Sequence, residues 1–206
     1  MAAKRGDDTR VRILNAALGV FRQQGYSATT VDDLCRASGV TKGAFFHHFE
    51  SKEAVALAAI EYWNHFTGVL FENAPYWQVE DPRARLLAYL DFRAELVQGD
   101  LAEFTCLLGT LVQETFASHP SLRAACGIGV ASHAATLVPT IEAAKALYAP
   151  DADWDSDSLA RYTQVVLQGG FVLAKAFDQR QTVLDAVNHL KRYVEQLLPK
   201  AFAADS

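Results

Sequence analysis

Three cysteines, at positions 35, 106 and 126, are all that this 206-residue chain offers for disulfide cross-linking. Their odd number, wide spacing and lack of a CxxC pair supply neither a disulfide framework nor a structural zinc site. They fit a reducing cytoplasm, where such a cysteine reads first as a small buried apolar residue. Proline is scarce, with six residues, and glycine modest, with twelve. No apolar run approaches the ~18 residues that a bilayer-crossing helix needs, so no membrane partner is expected. The opening "MAAKRGDDTR" has no apolar segment of the secretory kind, which again gives a cytoplasmic expectation. Strand signals, internal repeats, low-complexity tails and Gly-rich phosphate loops are missing as well. No cofactor is expected.

What is present is helix. Half of the residues are apolar, enough for a sizeable core. Val11, Leu14, Leu18 and Phe21 recur at three- and four-residue steps, giving an amphipathic helix over residues 8–25 with Gly25 as its C-terminal cap. Thr30 caps a short second helix over 31–37, with Asp32 and Asp33 in its first turn, and Gly39 ends it. Thr41 caps a third over 42–48, and Ser51 a fourth that runs to about residue 73. Further helical patterns cover 82–98, 101–117, 121–147, 156–178 and 181–202, and Pro139 should kink or divide the 121–147 stretch. The expected fold is all-α with about nine helices.

Charge is unevenly placed. Residues 1–52 carry eight Lys and Arg against five acids, a local +3, although the whole chain is −5. A basic head on an acidic body suits a head that meets a polyanion.

Within that head, a helix, a short helix, a Gly-containing turn and another short helix form a helix-turn-helix layout. "TTVDDLCRASGVTKGAFFHHFESKEAV" resembles the DNA-binding domain of the TetR family of transcriptional regulators. The likeness rests on Gly25-Tyr26, Thr29-Thr30, Gly39, Thr41-Lys42-Gly43, His48-Phe49 and Ser51-Lys52-Glu53. It implies a helix-turn-helix domain over residues 1–54 and a ligand-sensing and dimerisation domain over 55–206. It also implies a homodimer on a pseudo-palindromic double-stranded operator, released by a small-molecule inducer. The DNA-contacting residues implied are Thr29, Thr30, Thr41, Lys42, Gly43, Ala44, Phe46, His47, His48 and Lys52. The tip of the second motif helix lies nearest the base edges in such a domain, and helix N-termini favour phosphate. Phe46 departs from the family, which usually has Tyr there. Phe45 and Phe49, four residues apart, read as core. His47 and His48 point about 100° apart on a helix and lack an acidic or Cys partner, so no metal is expected.

In the body, "FTCLLGTLVQE" and "GGFVLAKAFDQ" resemble the NemR-type and AcuR-type branch of these regulators, in which a cysteine is associated with sensing electrophiles. Cys106 matches that cysteine, and Lys175 is a candidate cation beside it. Trp63, Phe66 and Phe104 are candidates to line an apolar cavity. Noncovalent binding of a small organic molecule remains the alternative to covalent sensing, because only a thiolate reacts efficiently. The last two helices, with Gly169-Gly170, are the implied dimer interface. An enzyme pairing Cys106 with His119 or His133 lacks an orienting third group, so the expectation is a regulator and not an enzyme. A helical interaction module with a vestigial motif is the third class.

Overall fold

A computed structural model describes the backbone of residues 2–200 and the side chains of residues 8–200. Its helices are α1 (Ala2–Ala28), α2 (Val31–Ser38), α3 (Lys42–His48), α4 (Lys52–Glu72), α5 (Pro82–Glu95), α6 (Leu101–Phe104), α7 (Leu107–Thr115), α8 (Pro120–Ala135), α9 (Val138–Tyr148), α10 (Ser156–Phe177) and α11 (Gln181–Leu197). A 3-10 turn over Pro75–Gln78 joins α4 to α5, and no strand occurs among the described residues. The fold is all-α. Two of the expected helical stretches are divided, the first against expectation and the second as Pro139 led one to expect. The 101–117 stretch breaks at Thr105–Cys106, so Cys106 becomes the N-cap of α7. The 121–147 stretch breaks at Thr136–Leu137, and Pro139 falls in the first turn of α9, where its missing N–H has no helical partner to lose.

That second division bears on the membrane expectation. By length and composition Pro120–Tyr148 would reach across a bilayer, which the sequence reading did not anticipate. Its Leu122, Cys126, Ala134, Leu137, Ile141 and Ala144 are instead buried in protein core.

The chain forms two compact units. One runs to Val69 and resumes over Asp100–Val130; the other is Leu70–Gly99 with the chain from Ala131 onward. In the first, α1 packs against α2, α3, α6 and α7. Its Ile13, Leu14, Ala17, Leu18 and Phe21 are buried, joined by Leu34 of α2, Phe45 of α3, Val55 and Ile60 of α4, and Leu107 and Leu111 of α7. Burying side chains of this size stabilises by roughly 1.5–3 kcal/mol each. Near its end α1 kinks at Gly25 (φ 80°, ψ 177°), a backbone region essentially restricted to glycine. A β-carbon there would lie 1.8 Å from Glu114 Oε1 of α7, whose other carboxylate oxygen accepts from the Ser27 N–H at 2.8 Å. The kink therefore admits the carboxylate and is held by it.

In the second unit α5 packs against α9, α11 and the 3-10 turn, and α10 against α9 and α11. Arg83 is buried, its Nε donating to the Leu198 carbonyl at 2.6 Å. The Gly169-Gly170 pair divides its roles. Gly170 is buried, with Val183 Cα 3.5 Å from where a β-carbon would sit. Gly169 is open, on an outward stripe of α10 with Tyr162, Val165, Val172, Leu173 and Phe177, all large exposed apolar residues.

Two outcomes follow. Gly25→Ala should lose about 1–3 kcal/mol in urea unfolding from backbone strain alone. In a Glu114→Ala background the penalty should shrink, as the displaced carboxylate is gone, yet remain measurable. A Gly25→Ala protein as stable as the parent would contradict the need for the kink. The second concerns Asp33, whose pKa is held down at about 2, first by the Thr30 hydroxyl and then by the Thr30 N–H. A depressed carboxylate contributes stability that is present above its ordinary value near 4 and is lost as pH falls toward 2. The Tm difference between the parent and Asp33→Asn should thus be constant above pH 4 and narrow below it. A difference that is flat down to pH 2 would refute the assignment.

Candidate functional site

The head is built from local caps. Thr30 Oγ1 accepts from the Asp33 N–H at 3.1 Å while Asp33 Oδ2 accepts from the Thr30 N–H at 2.9 Å, a reciprocal capping box that starts α2. Gly39, at φ 65°, ends α2 in the left-handed conformation, and Thr41 Oγ1 accepts from the Ala44 N–H at 3.2 Å to start α3. Phe45 and Phe49 are buried, with ring centroids 6.1 Å apart.

That anchoring turns the opposite face outward. Thr41, Lys42, Gly43 and His47 are exposed, and Phe46 is 52% exposed. Ala44 and His48 are half-buried. Lys42 reaches back to Asp32 Oδ1 of α2 at 2.8 Å, both ends of the pair being well exposed. This is a surface ion pair of small net value. It ties Lys42 loosely and leaves it able to exchange Asp32 for another anion.

Two of the residues singled out from sequence are engaged inside the head. Thr29 is buried and donates to the Gly25 carbonyl. Lys52 donates to the carbonyls of Tyr26 and Thr29, each at 2.8 Å, and lies 4.2 Å from the Tyr26 ring centroid. Burial lowers its pKa and the Glu114 charge partly restores it. His119 meets the same Tyr26 ring edge-on at 4.8 Å. Glu114 was not singled out from sequence, and His119 was weighed there only as a possible base for Cys106. They come from beyond residue 110, and only the Gly25 kink hinted that something approached α1.

The residues proposed for sensing fall into both units. Trp63 lies under the Arg22 guanidinium, 4.9 Å from its ring centroid. Arg22 Nη1 donates to the Glu103 carbonyl at 2.8 Å. Burial lowers the Arg22 pKa, while Cys106 and Glu103 act to raise it. Arg22 is thus a cation in electrostatic reach of Cys106, which is half-buried. Phe66 is 53% exposed and Phe104 half-buried. Lys175 lies on α10, in the second unit, half-buried. Cys35 and Cys126 are buried, and burial pushes the Cys126 thiol up to about 12. No group of three or more metal-binding side chains gathers among the described residues.

The second unit also holds a polar cluster that sequence reasoning did not assemble. Tyr89 of α5, His133 of α8 and Gln164 of α10 converge with Arg93. Tyr89 Oη and Arg93 Nη1 lie 3.0 and 3.1 Å from His133 Nε2. Phe71, Tyr76 and Phe92 surround them, with the Phe71 and His133 ring centroids 4.5 Å apart. Burial first, then the Arg93 charge, pushes the His133 pKa down to about 3, so the imidazole is neutral near pH 7.

Comparison with known proteins accords with this layout. Residues 13–59 match the family described as bacterial regulatory proteins of the tetR family, and residues 82–203 match the tetracyclin repressor-like C-terminal domain. The chain is 31% identical over 167 residues to the transcriptional regulator AcuR of Cereibacter sphaeroides, covering 79% of this chain and 74% of AcuR. Several other curated regulators match over only 52–58 residues, and there the chain spans 20–27% of their length. Among solved structures, a regulatory protein TetR from Rhodobacter sphaeroides superposes with a TM-score of 0.79 at 26% identity, over 88% of this chain and 96% of that one. Reduced NemR of E. coli shares the fold at 22% identity, with a TM-score of 0.73 over 90% and 96% of the two chains. Regulators of this kind work by binding DNA and not by catalysis. With matches to both the head and the greater part of the body, this chain belongs to the TetR family of bacterial transcriptional regulators.

Proposed function

We propose that the protein is a cytoplasmic homodimeric repressor that grips a pseudo-palindromic operator and is released from it by a small organic inducer. The observation that carries the DNA reading is the exposed tip of α3. Thr41, Lys42, Gly43 and Phe46 face out from a helix whose Phe45 is fully buried. A tip with a small backbone profile, a cation and a ring suits a major groove, where Lys meets a guanine edge or a phosphate and Phe a thymine methyl. Ala44, His47, His48 and the α2 start at Thr30 extend the surface. In this reading Thr29 and Lys52 act from behind, fixing the α1–α2 corner. Residues 1–54 serve as the DNA-binding domain and 55–206 as the sensing and dimerisation domain.

Two heads are needed for two half-sites, which lie one duplex turn of about 34–36 Å apart in motifs of this type. The outward stripe of α10, from Tyr162 to Phe177, and Tyr193 of α11 offer the apolar surface for pairing two copies. Release requires an inducer that binds the non-gripping form more tightly, since equal affinity shifts nothing.

A second reading concerns how the inducer is sensed. Cys106 sits half-buried at the start of α7 with the Arg22 guanidinium in electrostatic reach. Covalent capture of an electrophile at Cys106 is favoured by that pairing, and Lys175 remains a further candidate cation.

For DNA, fluorescence anisotropy with duplex from the region flanking its gene should show Phe46→Ala weaker by about 1–2 kcal/mol, from the lost apolar contact. Lys42→Ala should flatten the log K against log salt slope by roughly 0.9. Neither side chain is buried, so Tm should hold in both, and unchanged binding in both would refute this interface. For sensing, one equivalent of N-ethylmaleimide should label Cys106 before Cys35 or Cys126 by peptide mass spectrometry and release the DNA. Cys106→Ser should abolish that release. Equal release in parent and variant would eliminate the covalent reading.

A further inference from the structure

The positive charge of the head has few places left to act once its partners are followed. Of the eight Lys and Arg in residues 1–52, Lys42 and Arg36 pair with Asp32 and Asp33. Lys52 and Arg22 turn their donors to backbone carbonyls within the unit. Lys4 and Arg5 lie outside the described side chains. Arg10 and Arg12 of α1 remain. Both are exposed, and neither has a carboxylate within ion-pairing distance among the described residues. An exposed cation alone points to no ligand, so the placement of these two has to decide.

Arg12 Nη2 donates to the Ser38 carbonyl at 2.6 Å and to the Gly39 carbonyl at 3.1 Å, which sets its guanidinium at the turn leading into α3. Arg10 lies over the Phe49 ring, 5.3 Å from its centroid, and Phe49 is the C-cap of the same helix. The two arginines therefore stand at opposite ends of α3. An α-helix of this kind is, with side chains, about 10–12 Å across. It fills a major groove roughly 12 Å wide, so cations at its two ends come within an arginine's length of the phosphates that edge the groove. Arg12 commits one nitrogen to the protein, and a guanidinium carries further N–H donors in a rigid fork that matches phosphate. The ring beneath Arg10 steadies its charge without consuming an N–H.

We propose that Arg10 and Arg12 bind the DNA backbone, one at each end of α3, in the phosphate-gripping role that the sequence had suggested for Lys52. The proposal rests on the operator-binding reading and adds two contacts to it. Phosphate contacts position a protein and carry no sequence information. The two arginines should thus set affinity and salt dependence, and leave sequence preference to the α3 tip.

The test is fluorescence anisotropy of the full chain across a salt series. One duplex is selected by the protein from random sequence, and the other is arbitrary and of the same length. Arg10→Ala should flatten the slope of log K against log salt by roughly 0.9 for each head bound, on both duplexes. Arg10→Lys should restore it. Arg12→Gln, which can still donate to the Ser38 carbonyl but has lost its charge, should flatten the slope likewise. In both variants the ratio of affinities for the two duplexes should remain that of the parent. A parent slope retained by either variant would overturn the assignment of that arginine, and so would a ratio that collapses, which marks a base contact. If Arg12→Gln fails to fold, the slope of Arg10→Ala alone decides the proposal. Parent protein that binds neither duplex at low salt would sink the operator-binding reading itself. Tight parent binding with unaltered slopes in both variants would overturn this proposal only.

Discussion

The burial of two rings on one side of a seven-residue helix governs the functional end of this molecule. Phe45 and Phe49 enter the core that Ile13, Leu14, Phe21 and Leu34 supply. A helix of two turns has no stability of its own in water, because nucleation costs more than so few hydrogen bonds return. α3 therefore exists only where those rings hold it, and its rotation about its own axis is fixed by the same contact. Thr41, Lys42 and Phe46 face outward as a consequence of what faces inward. The Thr41 cap and the left-handed Gly39 set where the helix begins, and the rings set which way it looks.

Behind that helix lies a corner where polar groups are shared over long sequence distances. Lys52 closes on the carbonyls of Tyr26 and Thr29, while Glu114 closes on the Ser27 N–H across the Gly25 kink. Each is a charged group bonded to backbone, stronger than a neutral contact. Glu114 belongs to α7, the helix that Cys106 opens. A change at Cys106 thus occurs at one end of a nine-residue helix whose next-to-last residue grips the α1–α2 corner. This gives Cys106 and the α1–α2 corner a shared structural element within one compact unit.

The sequence disclosed what is local. Thr30, Asp33, Gly39 and Thr41 act over three or four residues, so their roles follow from spacing and side-chain chemistry alone. The inner pair Phe45 and Phe49 is legible for the same reason. Long-range partners were not. Glu114 lies 87 residues from Ser27, and Gln164 lies 75 from Tyr89, so no periodicity connects them. Lys52 read as a surface cation because its charge and helix-start position fit phosphate, whereas its long stem carries the ammonium inward to two carbonyls. The break at Cys106 was hidden because "EFTCLLGTLVQE" keeps its apolar spacing across it. Arg93 drew no notice in a helix rich in arginine; its approach to His133, 40 residues away, is a property of three-dimensional surroundings.

The claim at the centre of this account is that two copies present their α3 tips to successive major grooves. Dimethyl sulfate protection on a duplex that the protein has selected from random sequence reads guanine N7 in the major groove directly. Two protected patches are predicted, on one face of the duplex and about one helical turn apart. A single patch, or binding that leaves every major-groove N7 reactive, would contradict it.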